Sequence, residues 1–452
     1  MRPSTTASTP NTLLTGRILP TLLRLSVPNV MAMTVSVLVG IAETLYVGIL
    51  GTVPLAAMAL VFPFAMLTQM MSAGAMGGGV SSAVSRALGA ADVPRAQALA
   101  LHALVIGVVA GTLHGALFLA FGPILYQWLG GRGEVLAQAT DFSNMLFIGA
   151  ASVWVMNALA SVVRGTGNMR VPSVLILALS VLQILLGGAL GLGFGPIPRF
   201  GMQGVALGSI AAYTLGAAWL LWYLASGRGR LSLRVRGVRL QWPMFLDILR
   251  VGALACLSPV QSVLAILVVT GLIARLGIAP LAGYSIGQRL EFLLIPIAFG
   301  VGVASIPMVG MAMGAGQVAR ARRVAWTAAF VSGINLGLIG LVVTVFPNLW
   351  AGMFSSDPAV LDAANQYLRW AGPGFGFFGF GLTLYFAAQG SGRILGPVLA
   401  STARLVVIAA VGAWLVTWID QPWPLFALVG GAMVVYGLAN AAAIRWTTWD
   451  RP

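Results

Sequence analysis

Residues 50–56 read Leu50-Gly51-Thr52-Val53-Pro54-Leu55-Ala56, and residues 276–282 read Leu276-Gly277-Ile278-Ala279-Pro280-Leu281-Ala282. The Leu-Gly and Pro-Leu-Ala elements coincide at an offset of 226. Further along, Gly89-Ala90-Ala91 followed by Arg95-Ala96 returns as Gly314-Ala315-Gly316 followed by Arg320-Ala321, an offset of 225. Gly165, Gly167 and Pro172 return as Gly390, Gly392 and Pro397, again at 225. Three patterns in one order at nearly one offset mark an internal duplication. The longest polar connection carries Arg228, Arg230, Arg234, Arg236 and Arg239 and falls between the two copies.

The surroundings of these motifs are apolar. Of 452 residues, 59% are hydrophobic and 8% charged. That leaves too few charges to cover a soluble protein of this size, so lipid is the solvent for most of its surface. Crossing the hydrocarbon takes about 20 mainly apolar residues. About twelve such windows fit, at 20–50, 55–84, 97–122, 138–163, 169–193, 202–225, 246–275, 281–311, 322–346, 370–389, 394–418 and 424–446. The expected fold is an all-α membrane protein of two six-helix lobes. Its divisions are an N-terminal tail (1–19), an N-lobe (20–225), a basic linker (226–245), a C-lobe (246–446) and a C-terminal tail (447–452). Six is even, so both copies enter from one side, as parallel repeats do. Two such lobes can rock about a central cavity and expose it to each side in turn.

All 25 basic residues are arginine, against 10 acids. With the N-terminus inside, 19 arginines adjoin the cytoplasmic side and four (Arg132, Arg199, Arg275 and Arg369) the outer side. That asymmetry predicts a bacterial-type cytoplasmic membrane with both termini inside, and it accounts for the net charge of +15 without nucleic acid. The linker arginines read as a solvated, headgroup-touching segment. The first ten residues, MRPSTTASTP, read as a disordered tail with no cleaved signal after it. The single cysteine, Cys256, rules out an internal disulfide or a cysteine-based metal site.

Polar groups inside the windows are the candidates for function. Glu43 lies in the outer half of the first span with apolar sequence on both sides. A charge at span centre costs about 2.5–3.5 kcal/mol on insertion scales, so an acid there faces a cavity or a partner, or is wetted near a helix end. A carboxyl so placed suits a proton carrier. Gln183 and Asn157 can hydrogen-bond Glu43 or substrate, or act as glue between helices; Gln69 is a weaker candidate of the same kind. In the second copy, Glu291 and Arg404 are expected to pair as structural or coupling charges. Tyr284, Tyr385 and Asn335 are expected to line the second lobe's cavity. Arg289 points away from Glu291, while Gln288 shares its face. His102 and His114 are 12 residues apart, about 120° around a helix, so they do not share a face for a haem or metal. The glycine-rich stretches contain no Walker lysine, since the chain has no lysine. No cofactor or metal is expected, and no enzyme chemistry. Pro28, in the span carrying Glu43, is the best candidate for a moving kink.

The ordered motifs resemble the MATE (multidrug and toxic compound extrusion) family over roughly residues 20–446. They are Glu43-Thr-Leu-Tyr-Val-Gly48 running into Leu50-Gly51 and Pro54-Leu55-Ala56-Ala57, Ser85-Arg-Ala-Leu-Gly-Ala-Ala-Asp92, Arg164-Gly-Thr-Gly167 with Pro172, and Phe200-Gly-Met-Gln-Gly-Val-Ala206. The resemblance implies an antiporter that exports organic, often cationic, drug-like compounds by alternating access, with the lipid bilayer and small organic substrates as its partners. A monomer would suffice. The family often has Asp where Glu43 stands, and many members carry Asn and Asp where Gln183 and Gly187 stand. The missing second acid favours protons over sodium as the coupling ion. A lipid-linked saccharide flippase and a sodium-coupled antiporter are the alternatives. The first should carry more mid-span cations than this chain has. The major facilitator architecture, also two six-span halves, is disfavoured because residues 85–92 lack its charged loop.

Overall fold

In lipid, backbone N–H and C=O groups must be satisfied within the segment, so long apolar runs can only be helices here. The computed structural model describes residues 12–194, 196, 198–233 and 238–449. Expectations for the first ten residues, for Arg234 and Arg236 and for residues 450–452 lie outside the described residues.

The N-lobe spans are Ile18–Leu50, Thr52–Gly89, Val93–Trp128, the pair Gly133–Ile148 and Ala150–Gly165, Arg170–Gly193 and Gly201–Ala225. The C-lobe spans are Trp242–Ala274, Ile278–Gly314, Val318–Val345, the pair Pro358–Ala371 and Phe375–Ser391, Leu395–Leu415 and Trp423–Trp446. Ten of these are single helices long and apolar enough to cross a membrane, and the fourth span, bent by 42° at Gly149, makes eleven. Phe375–Ser391 has 17 residues, at the short limit for a crossing, and completes the twelve expected. The fourth and tenth spans break at Gly149 and at Gly372–Gly374, so the breaks also recur at an offset of 225. The first span runs unbroken through Pro28.

The duplication is visible in the turns. Gly51 and Gly277 have φ of 134° and 118°, Ala91 and Gly316 have 60° and 71°, and Gly167 and Gly392 have 84° and 80°. Each pair sits in one of the repeated motifs, so the motifs encode turns.

At the arginine-rich end the lobes share one apolar core, which joins Leu22, Val80 and Leu159 to Val301, Met308 and Leu384. Toward the other end that core divides. The N-lobe keeps a core around Val47, Val61, Phe142 and Val205, and the C-lobe keeps its own around Val269, Leu294, Tyr367 and Phe426. Repeated glycines seal the joined end. A Cβ on Gly89 would lie 2.2 Å from the Met311 carbonyl oxygen, and one on Gly314 would lie 2.0 Å from that of Arg86. Asn29 Nδ2 donates to the Gly300 carbonyl across the seam at 3.3 Å, and the Ser82 hydroxyl donates to the Gln389 carbonyl. Asp247, at the start of the seventh span, bridges Arg86 at 2.6 Å and Arg95 at 2.9 Å. The protein is therefore held shut at its arginine-rich end, and toward the arginine-poor end each lobe keeps a core of its own.

Candidate functional site

Glu43 lies seven residues before the end of the first span, about 10 Å below it at the helical rise. Its Oε1 accepts from Gln183 Nε2 at 2.8 Å and from the Ser209 hydroxyl at 2.6 Å, and Gln183 Nε2 also reaches Ser209 Oγ at 2.9 Å. The first, fifth and sixth spans thus meet on one carboxylate oxygen. The expected Glu43–Gln183 contact is present. Ser209 is a partner that the sequence reading missed.

One turn along the sixth span, Tyr213 shares a helix face with Ser209. Its hydroxyl accepts from Gln69 Nε2 of the second span. Asn157 Nδ2 in turn donates to Gln69 Oε1 and to Ser72 Oγ, each at 2.9 Å. Gln69 and Asn157 accordingly bond each other and not Glu43. Ser209 and Tyr213 connect the two groups, so a polar track runs through the N-lobe across five spans. Position 187 is taken up by backbone packing, since a Cβ on Gly208 would lie 2.5 Å from Gly187 N. The track holds one acid among neutral donors and acceptors. Such an arrangement can bind one proton or face one cation. His102 works elsewhere, its Nε2 accepting from Gln241 N at 2.9 Å, while His114 Nε2 lies 2.8 Å from the hydroxyl of Thr68, whose carbonyl accepts from Ser72 at the end of the track.

The C-lobe corrects four expectations. Glu291 and Arg404 do not form an ion pair; among the described residues the only salt bridges are those of Asp247. Glu291 Oε1 instead accepts from the Tyr367 hydroxyl, and the Arg404 guanidinium lies over two rings, 5.3 Å from the Phe378 centroid and 5.7 Å from that of Tyr436. The reason is position: Tyr367 comes from the outer half of the broken tenth span and reaches the acid first. Asn335 does not line a cavity. It donates to the Val331 carbonyl of its own helix at 2.7 Å and sits with Ile334 and Leu338 on an exposed apolar face. Tyr385 is buried, and its hydroxyl donates at 2.9 Å to the Ala255 carbonyl, whose helical donor four residues on would be Pro259, which has no N–H. Tyr284, expected to line the second lobe's cavity, is buried: it packs edge-on to Tyr367, the partner of Glu291, with centroids 5.3 Å apart and accepts from Gln288 at 3.2 Å. Arg289 lies exposed over the Phe354 ring.

A family model described as MatE matches residues 28–188 and 255–415, one copy in each lobe. The FAD transporter of Shewanella oneidensis is 26% identical over 409 residues, covering 90% of this chain and 89% of that protein. A probable multidrug resistance protein NorM of Thermotoga maritima is 24% identical over 412 residues, covering 87% and 88%. Among solved structures, a transporter of the MOP superfamily from Pyrococcus furiosus superposes with a TM-score of 0.87 at 22% identity, over 96% of each chain. A MATE structure in a straight conformation gives 0.87 at 22% identity, over 96% of this chain and 97% of that one.

Proposed function

The chain belongs to the MatE family, and from that premise we propose that it is a secondary active efflux transporter that expels organic amphipathic compounds in exchange for protons. It is a multi-pass membrane transporter whose relatives include multidrug exporters and an FAD transporter. The finer reading is ours and rests above all on one observation: Glu43 is the single acid of a track of neutral polar groups and is held by the fifth and sixth spans at once. A proton and a cationic substrate compete for this carboxyl or the pocket around it, so arrival of one expels the other. The arginine asymmetry supports a cytoplasmic membrane with both termini inside. The closed, arginine-rich end then faces the cytoplasm, and the divided cores belong to the outward-open stage of alternating access.

The test is uptake of a panel of dyes and drugs into vesicles with a proton or a sodium gradient imposed separately. Proton-driven uptake is expected, and Glu43→Gln is expected to abolish it with expression intact. Uptake driven by sodium alone would overturn the coupling ion, and undiminished proton-driven transport by the variant would overturn the role of Glu43.

A further inference from the structure

We propose that Arg404 is the recognition point for an anionic group, a carboxylate or a phosphate, on an aromatic substrate held by the C-lobe. This rests on the efflux reading above and names a substrate class for the second lobe.

Arg404 is the tenth residue of Leu395–Leu415 and so lies near mid-membrane. It sits between Val398, in the core the lobes share, and Ile408, in the C-lobe's own core, where the shared core gives way. No described residue forms a hydrogen bond or an ion pair with its guanidinium. Its Nε is sealed in without a partner, while the side chain as a whole is only half-buried. What holds it is aromatic: Phe378 and Tyr436, with centroids 6.0 Å apart, both present rings to it. The nearest acid, Glu291, is beyond ion-pair distance and is engaged by Tyr367. Helices of the same lobe supply all these groups, so the guanidinium faces the lobe interior.

A guanidinium offers five N–H donors in a planar fork that matches carboxylate and phosphate oxygens in bidentate fashion. Here the fork has no described hydrogen-bond partner at a depth where solvation is scarce. Of the flanking rings, Tyr436 is buried and backs the guanidinium, while Phe378 is part-exposed and offers an apolar edge against which an aromatic body can pack. Glu291 acts against an incoming anion at longer range. The N-lobe, with Glu43 and neutral donors, and the C-lobe, with Arg404 and rings, then read opposite charges.

The experiment is equilibrium binding to the purified full-length protein of two dyes of similar ring size, carboxyfluorescein as the anion and rhodamine 6G as the cation. Wild type is expected to bind carboxyfluorescein. Arg404→Gln is expected to lower the anion-to-cation preference tenfold or more, Arg404→Lys less so. Glu291→Gln is expected to raise it, so a variant of opposite sign remains if Arg404→Gln fails to fold. Wild type binding no anion, or a preference unmoved by Arg404→Gln or lowered by Glu291→Gln, would overturn the proposal. Proton-driven uptake of rhodamine by the same wild-type preparation keeps that failure apart from failure of the efflux reading.

Discussion

Ser209 and Gln183 converge on one oxygen of Glu43, at 2.6 and 2.8 Å, and are themselves 2.9 Å apart. A hydrogen bond to a charged group is worth about 1.5–3 kcal/mol, and about 1.4 kcal/mol is tenfold in an equilibrium. Ser209→Ala and Gln183→Leu are each expected to slow initial proton-driven uptake roughly tenfold. Because they share an oxygen and touch each other, the double variant should lose less than the product of the two. Full multiplicativity in that cycle would sink the shared-oxygen description. Glu43 and Gln183 were legible in the sequence because an acid and an amide stand out in apolar spans. Ser209 was not: serines and threonines in these helices mostly bond their own backbone, as Ser36 does to Ala32 and Thr44 to Gly40. Only the folding of the sixth span against the first separates Ser209 from them. The expected Glu291–Arg404 pair failed for the same kind of reason, since opposite charges in two spans say nothing of the tyrosine that reaches one of them first.

Turns are the elements that the repeat specifies most sharply, and one of them is imperfect in the first copy. Ala91 has φ of 60° where its counterpart Gly316 has 71°. An L-residue in this left-handed region costs about 1–2 kcal/mol, and glycine gives back about 0.5–1 kcal/mol through the unfolded chain. Ala91 is exposed and loses no packing on truncation, and a Cβ on Gly316 would meet no atom within 4 Å. Ala91→Gly is therefore expected to stabilise by about 0.5–1 kcal/mol, and Gly316→Ala to destabilise by about as much. Thermal unfolding in detergent checks the pair, and equal midpoints for both variants and wild type would refute the strain argument. The broken spans were less legible. The apolar windows 138–163 and 370–389 each ran across a break unmarked, taking in most of Gly133–Ile148 but only the last two residues of Pro358–Ala371. Gly133–Ile148 and Pro358–Ala371 carry acids and amides such as Glu134, Gln138, Asp141 and Asp362 that lower their hydropathy, and a glycine break is invisible to a window average.

For the whole molecule, the duplication foretold two like halves but not which end would be shut. That choice is a balance between two arrangements of the same lobes, and it is set by contacts between residues far apart in sequence. Asp247 is the charged part of that balance, since it alone lies between Arg86 and Arg95 of the other lobe. Partly exposed pairs are individually worth about 0.2–1 kcal/mol. Removing this acid breaks two such pairs and leaves two arginines side by side, so the shut state should lose about 1–2 kcal/mol. The protein carries its own reporter of that loss. Cys256, the single cysteine of the chain, is buried at the break in the seventh span, with Sγ 3.9 Å from the Met71 carbonyl of the other lobe. A thiol in the seam can react with a maleimide only when the lobes part there. Asp247→Asn is thus expected to speed labelling of Cys256 by N-ethylmaleimide about tenfold in membranes, while Asp362→Asn, on the surface far from the seam, leaves the rate as in wild type. If Asp247→Asn labels no faster, the shared apolar core, the glycine contacts and the hydrogen bonds across the seam hold the end shut and the double salt bridge does not latch it.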